Sequence, residues 1–96
     1  MNVGISIRKI RKERVPQLNQ KEFAERIGIT QTYLSQIETG AKMPNTSVLE
    51  TIAKYFEIPL PILFWYAIEE SDIHDSKKEY FRFLKPTVDA MIDEFV

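Results

Sequence analysis

Apolar residues return along this chain at intervals of three and four, the spacing that lines one face of an α-helix, and the alternation of a half-buried strand is absent. Val3, Ile7, Ile10 and Val15 put one apolar face on a first helix, with basic residues between them turned outward. Val15-Pro16-Gln17 ends it, because a residue before proline avoids the helical region. Asn19-Gln20-Lys21-Glu22 opens a second helix as a capping box: Asn19 accepts from first-turn amides and Glu22 reaches back to the cap. Phe23, Ala24 and Ile27 supply its buried face, and Gly28 closes it in the left-handed conformation that glycine adopts freely.

A third helix starts behind a Thr30 cap, turns Leu34 and Ile37 inward and closes at Gly40. Only Gly28, Ile29 and Thr30 separate it from the second, so the two must cross steeply, with Ile29 plugging the corner. Pro44-Asn45 begins a fourth helix with the stripe Val48, Leu49, Ile52, Ala53, Phe56, and Pro59 ends it. Pro61 suits the first turn of a short fifth helix through Ile68, apolar on every side, so that no face of it can be left wholly to water. Glu69 to Ser76 reads as an acidic linker. Beyond it Phe81, Leu84, Val88, Met91 and Phe95 form a heptad-like seam, widened by Tyr80 and Ile92. Pro86 interrupts the seam, either between two helices or as a kink in one. The expected architecture is all-α: a five-helix domain over residues 1–68, and an extension of one or two helices over 69–96.

Composition narrows the class. With 96 residues, 44% apolar and 28% charged, the chain is expected to fold as a globular protein. No cysteine is present, so neither disulfides nor a thiolate metal site support the fold. The longest apolar run, Ile62 to Ile68, is far short of the ~20 residues of a bilayer span, and the basic N-terminus lacks the apolar stretch of a signal peptide. A cytoplasmic address is expected. The net charge of −1 hides an asymmetry: residues 1–58 carry nine Lys/Arg against six Asp/Glu, and residues 59–96 four against eight. A basic working half and an acidic remainder follow.

Several motifs then fall into one order: Ile7-x-x-Ile10-Arg11, Leu18-Asn19-Gln20-Lys21-Glu22-Phe23-Ala24, Ile27-Gly28-Ile29-Thr30, Tyr33-Leu34-Ser35-Gln36-Ile37-Glu38-Thr39-Gly40, and Pro44 followed by Leu49, Ile52 and Ala53. In this order and spacing, over roughly residues 4 to 64, the chain resembles the Cro and phage-repressor-like helix-turn-helix proteins, the XRE family. The resemblance implies a five-helix, lambda-repressor-like domain whose third helix enters the major groove of double-stranded DNA. That groove, about 12 Å wide, admits a helix. The outward residues Gln31, Thr32, Ser35 and Gln36 are then candidates for base readout, since a glutamine amide pairs with adenine and a threonine methyl packs on thymine. The competing reading is an ordinary solvated polar face.

From the same resemblance, Gln20 at the start of the second helix binds a DNA phosphate, with Asn19 beside it as cap and second contact. Unpaired amides and the positive end of the helix dipole favour an anion there. Tyr33 either touches phosphate or packs on the corner, and Lys42 either contacts phosphate or is simply solvated. Arg11 and Glu38 match the family's internal ion pair, a structural role. The stretch from Arg11 to Gln20 is slightly longer than the family pattern, Glu57 stands where many relatives have a helix-ending glycine, and the chain after residue 68 has no counterpart.

The apolar fifth helix and the tail point to a homodimer through Phe64, Trp65, Tyr66, Phe81, Leu84, Val88, Met91 and Phe95; the alternative is a tail folded back over the fifth helix. Ser71, His74 and Asp75 contain the letters of a hydrolase triad, but adjacency on a linker does not supply its geometry. A single histidine without cysteine makes zinc improbable, and no catalytic residue, cofactor or metal site is expected. The sequence therefore reads as a sequence-specific DNA-binding regulator, most simply a dimeric repressor on a palindromic operator. The alternative is an interaction module or antitoxin-like regulator whose apolar C-terminal segment docks a partner protein.

Overall fold

The computed structural model describes all 96 residues and is all-α. Its helices are α1 (Val3–Glu13), α2 (Gln20–Ile27), α3 (Gln31–Glu38), α4 (Thr46–Phe56), α5 (Leu60–Ala67) and α6 (Lys78–Ile92), with 3-10 turns at Glu70–Asp72, Asp75–Lys77 and Asp93–Phe95. No helix is long and apolar enough to cross a membrane.

Local chemistry sets most of the boundaries. The side chains of Asn2, Asn19, Thr30 and Asn45 accept from first-turn amides of α1 to α4. Gly28 closes α2 at φ 79°, and Gly40 follows α3 at φ 82°. Helix α4 ends on Glu57, a non-glycine residue held left-handed at φ 57°, two residues before Pro59.

The amphipathic faces then close on one another. Helix α1 packs on α3 and α5, α2 on α3 and α4, and α4 on α5. Ile7, Ile10, Phe23, Leu34, Ile37, Ile52, Phe56 and Leu63 are fully buried at the centre. Phe23 stacks on Phe56 with ring centroids 5.1 Å apart and meets Tyr55 edge-on at 5.4 Å, tying α2 to α4. Helix α1 needs a glycine where it meets α3: a Cβ on Gly4 would stand 1.9 Å from the Ile37 carbonyl oxygen. The buried Ser6 hydroxyl donates to the Leu63 carbonyl at 2.7 Å, joining α1 to α5.

Three expectations change, and the alternative left open at Pro86 is decided. Val15 does not extend the buried face of α1; Arg14 leaves the helix in an extended conformation, and Val15 is 96% exposed. Asn19 caps α2 by accepting from the Glu22 amide at 2.8 Å, but Glu22 makes no return bond, so the capping box is half-formed. The acidic linker holds two 3-10 turns, and α6 continues through Pro86 as one helix. The interruption falls on the exposed Arg82 turn, where water can satisfy the freed carbonyl.

The seam on the tail is divided. Trp65 Nε1 donates to Asp89 at 2.7 Å, Tyr66 donates to Asp93, and the Trp65 ring lies 6.4 Å from Phe81. Burial and the bond to Asp93 raise the Tyr66 phenol far above its usual range, so it remains a donor. Ile92 and Val96 pack on the core. The Phe81 side of α6 thus folds back on α5, while Leu84, Met91 and Phe95 point outward with Tyr80 and Phe83.

Candidate nucleic-acid interface

The helix pair α2–α3 is assembled from its own turn. Gly28 reverses the chain, the Ile29 amide bonds the Ala24 carbonyl at 3.0 Å, and Ile29 tucks against the core. The Thr30 hydroxyl then accepts from the Tyr33 amide at 3.0 Å, starting α3 with three residues between it and the end of α2. Leu34, Ile37 and Glu38 face the interior. Gln31, Thr32, Ser35 and Gln36, related by three- and four-residue steps, share the opposite side. Gln31 and Thr32 are exposed; Ser35 and Gln36 are half-buried. The Gln36 carbonyl takes the Lys42 amide at 3.1 Å and the Thr39 hydroxyl at 3.3 Å, which wraps the loop against this end of α3. Tyr33 is half-buried and packs on the core, while the Lys42 side chain is exposed.

Behind that face sits a polar node. Arg11 Nε donates to Glu38 Oε2 and its Nη2 to Glu38 Oε1, both at 2.8 Å, and its Nη1 donates to the Leu18 carbonyl at 3.0 Å. Both residues are 5% exposed. Gln20 Nε2 donates to Glu38 Oε1 at 3.1 Å. One carboxylate therefore gathers α1, the start of α2 and the end of α3, leaving few rigid-body freedoms to the outward face. The Gln20 bond has no signal in the spacing of the chain; only packing brings residues 20 and 38 together. Arg8, Lys9 and Lys12 line a shallow groove beside Glu38, so the cations of α1 border the node. Asn19 remains exposed at the N-terminus of α2, where its side chain serves the cap.

These helices, their turn and their node are those of a helix-turn-helix DNA-binding domain. The helix-turn-helix family profile matches residues 7–63, more than half of the chain, and the chain belongs to that family, within the Cro and phage-repressor-like group. It is 39% identical over 61 residues to the ImmF control region 10 kDa protein of Bacillus phage phi105, a match covering 64% of this chain and 66% of that protein. It is 35% identical over 80 residues to the immunity repressor protein of the same phage, covering 83% of this chain and 52% of the other. An uncharacterised HTH-type transcriptional regulator of Mycobacterium tuberculosis is 36% identical over 47 residues, 49% of this chain and 34% of that protein. The matched segments thus span under two thirds of each relative's length. No solved structure matches the chain significantly. The family assignment is that of a helix-turn-helix domain over residues 7–63.

Proposed function

We propose that this chain is a sequence-specific transcriptional regulator of lambda-repressor-like arrangement, acting in the cytoplasm as a dimeric repressor that reads a palindromic operator through the major groove. The observation that carries this reading is the polar side of α3, set by a buried clamp from behind. Gln31, Thr32, Ser35 and Gln36 read base edges; Asn19, Gln20, Tyr33 and Lys42 meet phosphates, and Arg8 and Lys12 add positive charge beside them. The phage relative named an immunity repressor supports repression as the sign of regulation.

The dimer uses the outward stripe of α6. Tyr80, Phe83, Leu84 and Met91 lie along one side of that helix, 49–79% exposed, with Lys77 at one end and Glu94 beyond the other. Two antiparallel copies bring Lys77 of each to Glu94 of the other and Tyr80 to Met91, an isologous contact. A second reading, in which the stripe docks an unrelated protein as in an antitoxin, rests on the same exposure.

Selection from a random DNA duplex pool tests the reading directly. The full chain should enrich a twofold-symmetric sequence, and its affinity should fall steeply with salt. Gln31→Ala and Gln36→Ala should each lose about 1–3 kcal/mol of discrimination against the wrong base while keeping non-specific affinity. A pool that enriches nothing, with both variants indistinguishable from the parent chain, would falsify DNA reading.

A further inference from the structure

A recess of about 220 Å³ opens between the C-terminal end of α1, α2 and the end of α4, lined by Arg11, Arg14, Arg26, Phe23, Tyr55 and Phe56 with Val15, Pro16 and Leu18. None of the residues assigned above to bases or phosphates lines it. Three guanidinium groups meet there and no carboxylate does. Arg11 is neutralised by Glu38, but Arg14 and Arg26 belong to no ion pair. Arg14 donates from Nη2 to the Phe56 carbonyl and lies over the Phe56 ring, 5.3 Å from its centroid, while its Nε–H is buried without an acceptor. Arg26 makes one long bond, 3.4 Å, to the Tyr55 hydroxyl and is otherwise free to turn. Five of the nine lining residues are apolar, which suits more than a bare ion.

We propose that this recess binds a small organic anion: a carboxylate or phosphate monoester head taken by Arg14 and Arg26, on a flat apolar body resting against the Phe23, Tyr55 and Phe56 wall. The uncompensated charge selects the head group, and the aromatic lining selects the body. The site has a route to the recognition helix. Arg11 lines the recess with one side and holds Glu38 of α3 with the other, so a ligand that draws on Arg11 loosens or tightens the clamp.

The test needs no DNA, so it stands or falls apart from the operator reading. Phenyl phosphate, benzoate and inorganic phosphate are titrated into the full chain at constant ionic strength, following the arginine Nε–H signals by nitrogen-15 NMR. Expected is a saturable displacement of the Arg14 and Arg26 signals by phenyl phosphate or benzoate, at least about fivefold tighter than by inorganic phosphate. The tighter of the two aromatic probes identifies the head group. Arg26→Gln, at an exposed position that leaves the fold intact, should weaken that binding by about fivefold or more; Arg14→Lys, which keeps the charge but moves the donor, should weaken it likewise. Equal response to inorganic phosphate would mean an adventitious ion only and would overturn the proposal. So would the absence of saturable shifts, or unchanged affinity in Arg26→Gln.

Discussion

Glu38 is the residue on which the α2–α3 pair most depends, because its two oxygens serve Arg11 and Gln20 at once inside a nearly dry site. Removing one member of a buried pair leaves the other charged and without a partner, at about 3–5 kcal/mol. Arg11→Met and Glu38→Leu should each lose that order of stability in urea titration, and the double replacement of both should recover much of it. Additive losses in the double variant would exclude the clamp as a coupled unit. At this scale, sequence motifs indicated the Arg11–Glu38 pairing and the outward positions of α3. They did not indicate that Gln20 is held by the same carboxylate, nor that the loop after Thr39 bonds back to the Gln36 carbonyl, since both depend on residues distant from the motif itself or on the path of a loop.

Helix α6 is the element whose attachment is weakest. No residue of it is buried, and it is held by Trp65–Asp89, Tyr66–Asp93, Trp65–Phe81 and the exposed Arg82–Glu70 pair. The Arg82 hydrogen bond lowers the Glu70 carboxyl below its ordinary 4.5, and bonds from the Met1 ammonium and the Glu69 amide lower Asp72 below 3.8. A carboxyl lowered in the folded state adds stability that is complete above its unfolded value and disappears as pH falls through the folded one. Both groups are exposed, so the contribution is small and screened by salt. The protection of α6 amides relative to their intrinsic exchange rates at each pH should therefore fall as pH drops below 4.5, while the centres of α1 and α4 stay protected, and added salt should mimic part of the change at neutral pH. Simultaneous loss of protection in α4 and α6 would mean that the tail is integral to the core. The heptad-like spacing on α6 predicted a single seam, yet the pattern contained two apolar sides; a spacing rule cannot tell which side a neighbouring helix covers.

For the whole molecule, charge and shape separate the work. The basic α1–α4 half carries the proposed DNA face, and the acidic half ends in an apolar stripe suited to a second copy. Phe83→Glu together with Leu84→Glu, both at exposed positions, should leave the fold intact and convert a dimer to monomer in sedimentation. Operator affinity should then fall towards the non-specific level, because one half-site rarely supplies enough specific contacts. Parent chain that sediments as monomer at all accessible concentrations would remove the stripe's role. What the sequence determined by itself is helices α1 to α5 and the short turn between α2 and α3: periodicity, caps, Gly28 and the turn act within a few residues of one another, so their chemistry is local. Tertiary structure alone decided that the tail folds its Phe81 side onto Trp65, that three helices share Glu38, and that Arg14 and Arg26 open onto one recess. Those contacts join residues 16 to 42 positions apart, and such pairs meet only once the apolar faces have chosen their partners.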